Sequence, residues 1–566
     1  MLLAGAGAQA AAPLAVESTT GMVVTAQHLA SDVGAAVLRS GGNAIDAAVA
    51  VGYALAVTHP CCGNLGGGGF MIIHLASGKD TFINFREQAP QAATAPMYLD
   101  ARGNPVAEKS LTGYLAVGVP GTVLGLETAR EEYGTRSRAA LLAPAIRLAE
   151  EGFTLERADV DVLEPATDAF RGQTNTAAVF LKDGLPLQPG DRLVQTQLAA
   201  TLRSVSDGGV QAFYHGAIAD TVVAQSRLHG GLLTPDDFAR YTVTEAPPVT
   251  CTYRGYTVVS APPPSSGGVI LCEMLRVLEG YPLRTLGFHS SQSVHYMTEA
   301  MRFAYRDRNR DLGDPEFVNN PIERLLSRSN AAAIRSHIAP YHATSSASRG
   351  LAGRREGATT THYSIADRLG NAVAVTYTIN DDFGAKVIAG ETGFFLNDQM
   401  DDFSAKPGSA NLFGLVQGEA NAIAPGKRPL SSMSPTLVLK NGAPVLVVGA
   451  PGGSRIITTV LEIIVNVIDH GMTLQEAVDA PRIHHQWLPD TLGAEPFALS
   501  ADTAAALTAM GYRVVPLEVW GTGNAAEAIG IAPASESAAK ALGFPRPARF
   551  YGATDARAPA GAAVPP

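Results

Sequence analysis

Thr360-Thr361-His362-Tyr363-Ser364-Ile365-Ala366-Asp367 and Asn371-Ala372-Val373-Ala374-Val375-Thr376-Tyr377-Thr378, joined by Arg368-Leu369-Gly370, form the stretch on which the reading of this chain turns. Both runs are dense in β-branched and aromatic residues, the composition of strands. A three-residue connection with Gly370 at the position that tolerates a left-handed backbone makes a hairpin loop. The loop sets a register in which Ala366 faces Ala372 and, at the open end, Thr360 faces Thr378; a bulge would shift the pairing by one. Two hydroxyls then share one face at the mouth of the hairpin. Just upstream, Gly350-Leu351-Ala352-Gly353-Arg354-Arg355-Glu356-Gly357 is polar and aperiodic, and it reads as an exposed linker open to cleavage. A threonine hydroxyl is a weak nucleophile until a base accepts its proton. If the bond before Thr360 is cut, the new α-amine, with an ordinary pKa of about 8, supplies that base at working pH. Read locally, an ordinary threonine-rich strand is the commoner explanation of the same residues.

The rest of the chain narrows the classes. It has 566 residues, with 42 basic and 52 acidic side chains for a net charge of −10, which argues against nucleic acid or an anionic membrane surface as partner. With 46% apolar and 17% charged residues it is too apolar for disorder and long enough for a large core. Residues 1–12, apolar and carrying an Ala-Gln-Ala site, read as the remnant of an export signal or a disordered tail, so a periplasmic or secreted location is expected. Elsewhere no run reaches the ~18 apolar residues that span a bilayer. Ala44 to Val57 reads as a buried helix capped by Asn43, after a helix beginning at Ser31 that Ser40-Gly41-Gly42 stops. Gly66 to Gly69 feed an apolar strand without the Lys of a phosphate loop, and close backbone approach explains them better. Ser291 to Leu312 has helical periodicity. Its sign-alternating end, Arg306 to Asp311, reads as a solvated face. Four cysteines (61, 62, 251 and 272) lack zinc spacing and read first as buried apolar residues, one disulfide being possible after export. No G-x-S-x-G elbow exists, and Ser537-Ala538-Ala539-Lys540 is a chance S-x-x-K match.

The hairpin resembles the processing site of the γ-glutamyltransferases (γ-glutamyl transpeptidases, glutathione hydrolases) of the bacterial type. The resemblance extends through Asn84-Phe85-Arg86-Glu87, the Gly66 to Gly69 run, Pro262 to Gly268, Gly370 to Asn380, Asn397 to Ser404, Arg428 to Thr436 and Pro451 to Ile456. It implies an α+β N-terminal-nucleophile hydrolase, an αββα sandwich of two stacked antiparallel sheets between helices. It also implies a precursor that cuts itself between Thr359 and Thr360 into a large subunit (13–359) and a small one (360–566) that remain one body. The family motif places the nucleophile two residues before the histidine, hence Thr360, with Thr378 orienting its hydroxyl. The N–H groups of Gly452 and Gly453 would form the oxyanion hole. Arg86 would fork onto the substrate's α-carboxylate with help from Ser431 and Ser432. Asp402, with Asn380 and Gln399, would take the α-ammonium. Without the resemblance, Pro-Gly-Gly reads as a turn, Arg86 as half of a surface ion pair, and Ser431-Ser432 as a loop or helix cap.

The implied activity is transfer of the γ-glutamyl group of glutathione and γ-glutamyl amides through a threonyl ester, to water or to amino-acid and dipeptide acceptors, with no metal or cofactor. Lys406 to Gly414 reads as a lid loop, in which Phe413 lacks the hydroxyl that a tyrosine would use as a latch. Two alternatives compete: a cephalosporin-acylase-like amidase of the same family, and an unprocessed homologue acting as a binding protein. A carboxylate at Asp402 argues for a donor with a free α-amine.

Overall fold

A computed structural model describes residues 13–346, 360–517, 524–532 and 549–566. The apolar start, the Gly350 to Gly357 linker and Ser537 to Lys540 lie outside the described residues. Strands β1 (Val16–Ser18), β2 (Gly21–Thr25), β3 (Gly68–His74), β4 (Asp80–Phe85), β5 (Thr244–Ala246), β6 (Val249–Tyr253) and β7 (Tyr256–Ser260) precede the hairpin. The hairpin is β8 (Thr361–Asp367) and β9 (Ala372–Thr378). After it come β10 (Thr436–Lys440), β11 (Ala443–Gly449), β12 (Glu527–Ile531), β13 (Phe550–Thr554) and β14 (Ala562–Val564). They form two seven-stranded sheets, ordered β14-β2-β8-β9-β3-β4-β5 and β1-β13-β12-β11-β10-β7-β6. Every neighbouring pair in both sheets is antiparallel.

The hairpin register is the expected one, with no bulge: Thr361 faces Tyr377 and Ala366 faces Ala372. Asp367 closes the loop, its Oδ1 accepting the backbone N–H groups of Leu369, Gly370 and Asn371 at 2.8–3.0 Å.

Alternation along the strands builds the layers, because successive side chains point to opposite faces. Phe70, Ile72, Ala374, Leu437, Val447 and Ile529 meet between the two sheets. Met71, Ile73, Tyr363, Val373, Val375 and Tyr377 face outward onto helices α1 (His28–Arg39) and α2 (Ala44–Thr58). On the other side, Val258, Val438, Leu446 and Val448 pack against α3 (Gly267–Leu278), α4 (Ser291–Asp311) and α5 (Arg455–Val465). The result is four layers, helix, sheet, sheet, helix. A sheet covered on both faces needs apolar residues at consecutive positions, which explains why β3, β8 and β9 read as continuous runs.

Helix α2 is buried at every position and capped by Asn43, whose side chain and that of Asp46 form a reciprocal capping box. Helix α1 begins three residues earlier than expected. Gln27 caps it by accepting the N–H of Leu29 at 2.9 Å, while Ser31 Oγ donates across the molecule to the Ala562 carbonyl at 2.7 Å. The glycine run sits where side chains have no room: a Cβ on Gly66 would lie 2.1 Å from the Phe395 carbonyl, and one on Gly67 would lie 2.0 Å from that of Thr378. All four cysteines pair, Cys61 with Cys62 and Cys251 with Cys272, so two disulfides stand where at most one was expected. Among the described residues, no helix is long and apolar enough to cross a membrane.

Candidate active site

The mouth of the hairpin opens into a narrow polar cleft lined by Arg86, Arg308, Thr360, Thr378, Asn380, Gln399, Asp402, Phe413, Ser431, Ser432 and Gly453, with Leu415, Leu430, Met433 and Ile456 completing the walls. The cleft brings together every residue assigned to the site from sequence except Gly452, which adjoins Gly453 outside the lining.

Thr360 immediately precedes β8, and Thr378 ends β9. The antiparallel register places their hydroxyls 3.2 Å apart, with Thr360 donating to Thr378 Oγ1. Thr378 Oγ1 also accepts the N–H of Asn380 at 2.9 Å. Asn380 holds a left-handed backbone (φ 79°), and its side-chain amide donates to the carbonyl and carboxylate of Asp398 at 3.2 and 3.3 Å. The chain therefore turns sharply behind the hydroxyl pair, with Asn380 in the left-handed region just after β9.

Opposite them, Gly452 and Gly453 have φ values of 123° and 53°, the positive region that glycine adopts most freely, and they lead through Ser454 into α5. Their N–H groups stand at the positive end of that helix, where negative charge is favoured. Phe413 closes this wall: a Cβ on Gly453 would lie 2.3 Å from its ring. The Lys406 to Gly414 segment lies over the cleft. Leu412 N–H donates to Asp401 Oδ2 at 2.8 Å, and the Phe413 carbonyl accepts from Gln486 Nε2 at 3.0 Å.

The charged end is built differently from the expectation. Arg86, leaving the end of β4, donates to Asp402 Oδ2, so the residues expected to divide the substrate's two charges between them are bonded to each other. Its Nε donates to the Pro429 carbonyl at 3.2 Å, and Nη1 lies 3.5 Å from Glu87 Oε2. Asp402 Oδ2 also accepts from Gln399 Nε2 at 2.7 Å. Gln399 Oε1 is buried without a hydrogen-bond partner among the described residues, an acceptor suited to an ammonium donor. Burial pushes the Glu87 carboxyl up to about 7, partly offset by Arg86.

Arg308 went unrecognised in the sequence. It is 1% exposed, not part of a solvated face. Its Nε donates to Ser266 Oγ at 2.9 Å and its Nη2 to Ser432 Oγ at 3.0 Å, so it buttresses one of the serines assigned to the carboxylate. Burial lowers its pKa to about 10, which leaves it charged at neutral pH. The correction is geometric. Arg308 continues the Val294, Met297, Met301, Ala304 stripe at three- and four-residue steps, so it points inward whatever the sign of its neighbours. Ser266 belongs to the Pro262 to Gly268 turn, whose Ser266 N–H and Oγ both donate to the Ser431 carbonyl, at 2.8 and 2.6 Å.

The cleft thus holds a hydroxyl pair, Gly453 at a helix N-terminus with Gly452 adjoining it, two guanidiniums and a carboxylate. That set can attack an acyl carbon, stabilise the resulting oxyanion and hold a zwitterion. The γ-glutamyltranspeptidase family profile matches residues 30–564. The glutathione hydrolase proenzyme of Pseudomonas sp. (strain A14) is 56% identical over 98% of this chain and 96% of its own length. That of Escherichia coli (strain K12) is 47% identical over 96% and 91%. A solved structure of cephalosporin acylase from Bacillus halodurans superposes with a TM-score of 0.85 at 27% identity, covering 100% of this chain and 99% of its own. With the cleft, the two stacked sheets and a match over nearly the whole length in agreement, the chain belongs to the γ-glutamyltranspeptidase family, an enzyme family of N-terminal-nucleophile hydrolase fold.

Proposed function

We propose that the protein is a self-processing γ-glutamyl transferase and glutathione hydrolase. The observation that carries this is the Thr360–Thr378 hydroxyl pair facing the Gly453 wall, with Arg86, Arg308, Asp402 and Gln399 at the other end of the same cleft. In maturation, Thr360 Oγ attacks the Thr359 carbonyl, the Thr359–Thr360 peptide bond shifts to an ester, and water hydrolyses it. Residues 13–359 and 360–566 result, and Thr360 gains a free α-amine. In turnover that amine accepts the hydroxyl proton as Oγ attacks the γ-glutamyl carbonyl, while Thr378 orients the nucleophile. The Gly452 and Gly453 amides hold the oxyanion. The protonated amine then returns its proton to the departing cysteinylglycine nitrogen. Water, or an acceptor amino acid or dipeptide, removes the glutamyl group from the ester.

Binding of the α-amino acid end requires the Arg86–Asp402 pair to open, each partner exchanging the other for the substrate's opposite charge. This exchange replaces one ion pair in the cleft by two, and the added pair offsets part of the desolvation of the zwitterion. Export to the periplasm or outside the cell belongs to the same proposal.

Purified protein incubated with a chromogenic γ-glutamyl anilide should release the anilide, faster with an acceptor dipeptide. Edman sequencing of the short fragment should read Thr-Thr-His-Tyr. Thr360→Ala should leave a single unprocessed band, and continued processing in that variant would falsify the assignment of Thr360. The likeness to cephalosporin acylase supports a second reading, amidase action on acyl ends that carry no α-ammonium. Asp402 separates the two, since Asp402→Asn should shift preference from γ-glutamyl toward glutaryl donors by at least about tenfold, the size of one charge-assisted bond. Undiminished γ-glutamyl turnover in that variant would leave Asp402 without its assigned role.

A further inference from the structure

At the C-terminal end of α2 the chain runs His59-Pro60-Cys61-Cys62, and the three side chains able to bind metal converge. His59 Nε2 lies 3.4 Å from Cys61 Sγ, and the ligand atoms of His59, Cys61 and Cys62 all fall within 4.8 Å of one another. A fourth group comes from the other side: Asp382 Oδ1 stands 3.8 Å from Cys62 Sγ. A tetrahedral soft cation with metal–sulfur bonds of about 2.3 Å and metal–nitrogen or metal–oxygen bonds of about 2.1 Å separates its ligand atoms by roughly 3.5–3.8 Å. The His59–Cys61 and Cys62–Asp382 separations already match. The two sulfurs, joined as a disulfide, are too close, and Asp382, in contact with Cys62, stands outside the 4.8 Å cluster of the other three.

We propose that His59, Cys61 and Cys62 form a redox-gated three-ligand site for a soft, thiophilic divalent cation of the zinc and cadmium class, with water in the fourth position on the side of Asp382. Two external thiols supply two electrons and two protons and leave as their own disulfide. The Cys61–Cys62 bond breaks to two thiols, and the entering cation displaces both thiol protons to solvent. His59 and the cysteines are buried, whereas Asp382 is half-buried, so entry is from its side.

The site is tied to both walls of the cleft. The Cys61 carbonyl accepts the N–H of Phe383, three residues beyond Asn380, at 2.9 Å. The Cys62 carbonyl accepts from Asn64 Nδ2 at 3.0 Å, and Asn64 Oδ1 accepts the Gly67 N–H, beside the Thr378 carbonyl, at 2.9 Å. Spreading the sulfurs therefore moves the backbone that carries Thr378 and Asn380, and cation binding should lower turnover.

The test uses the full-length, processed protein reduced with a water-soluble phosphine, which becomes the phosphine oxide and leaves no competing thiol. Cadmium should then bind at one per chain with a sulfur-to-metal charge-transfer band. The oxidised protein and Cys61→Ser/Cys62→Ser, which keeps the Cys251–Cys272 bridge, should show no band. His59→Gln should weaken binding at least tenfold; His59→Ala serves the same comparison if that variant fails to mature. The proposal is overturned by a reduced protein without the band, by an equal band in the double-serine variant, or by affinity indifferent to these ligand substitutions. A Cys61–Cys62 pair that stays oxidised under excess phosphine overturns it too, and leaves the disulfide as a structural clip. Cadmium binding is read without substrate, so its failure is distinct from failure of the proposed γ-glutamyl chemistry.

Discussion

Arg308 and Thr360 mark the two ends of the cleft. Arg308 reaches the serine pair through Ser432 and Ser266. Removing its charge takes a donor from both hydroxyls, although Ser266 keeps its bond to the Ser431 carbonyl, and weakens one end of the carboxylate site. Hydrogen bonds to a charged group contribute about 1.5–3 kcal/mol. Arg308→Met should accordingly raise KM for a γ-glutamyl anilide by about 10- to 100-fold while kcat changes less; steady-state kinetics on the processed variant check this. A larger fall in kcat than rise in KM would place Arg308 in the chemistry instead. At the other end, the Thr360 amine must be unprotonated to act as base. The value of kcat/KM should therefore rise with pH through an acid limb near the ordinary amine pKa of about 8 and level off above it.

The hairpin was legible from sequence because its loop length and composition leave one register, and the structure has that register. The glycine run was legible as close backbone approach. What the hairpin does at its back was not. His362 is fully buried, paired with Thr376 Oγ1 at 2.8 Å and Ser364 Oγ at 3.0 Å, with Gly449 of the other sheet against its ring. Burial lowers its pKa from 6.5 to about 3. In that window the unfolded chain binds the proton and the folded one does not, so stability falls as pH drops from 6.5 toward 3. His362→Gln should lose less stability than the parent over that range, by on the order of a few kcal/mol at its acid end. Thermal melts of both proteins across the range measure the difference. In the glycine wall, Gly453→Ala meets both a positive φ and the Phe413 ring. It should reduce kcat by about 100-fold or more, the scale of a lost oxyanion donor. If the clash with the ring is the cause, Phe413→Ala in the same chain should restore part of the rate.

Both sheets interleave strands from either side of residue 360. β8 and β9 lie between β2 and β3, and β10 to β13 lie between β7 and β1. Cleavage at the hairpin mouth therefore opens no domain boundary. The two fragments should co-elute in size-exclusion chromatography and unfold in urea as one transition. A fragment dissociating before the main transition would show that the interleaved sheets do not hold the halves together. The sequence alone determined the strand runs, the hairpin register, the crowded glycines, the capped apolar helix and the family motifs, because these depend on neighbours a few residues apart. Tertiary structure decided the rest: the inward turn of Arg308, the Arg86–Asp402 pairing, the Cys251–Cys272 disulfide and the approach of Asp382 to Cys62. These depend on which distant segments the two sheets bring face to face, and no local periodicity encodes that distance.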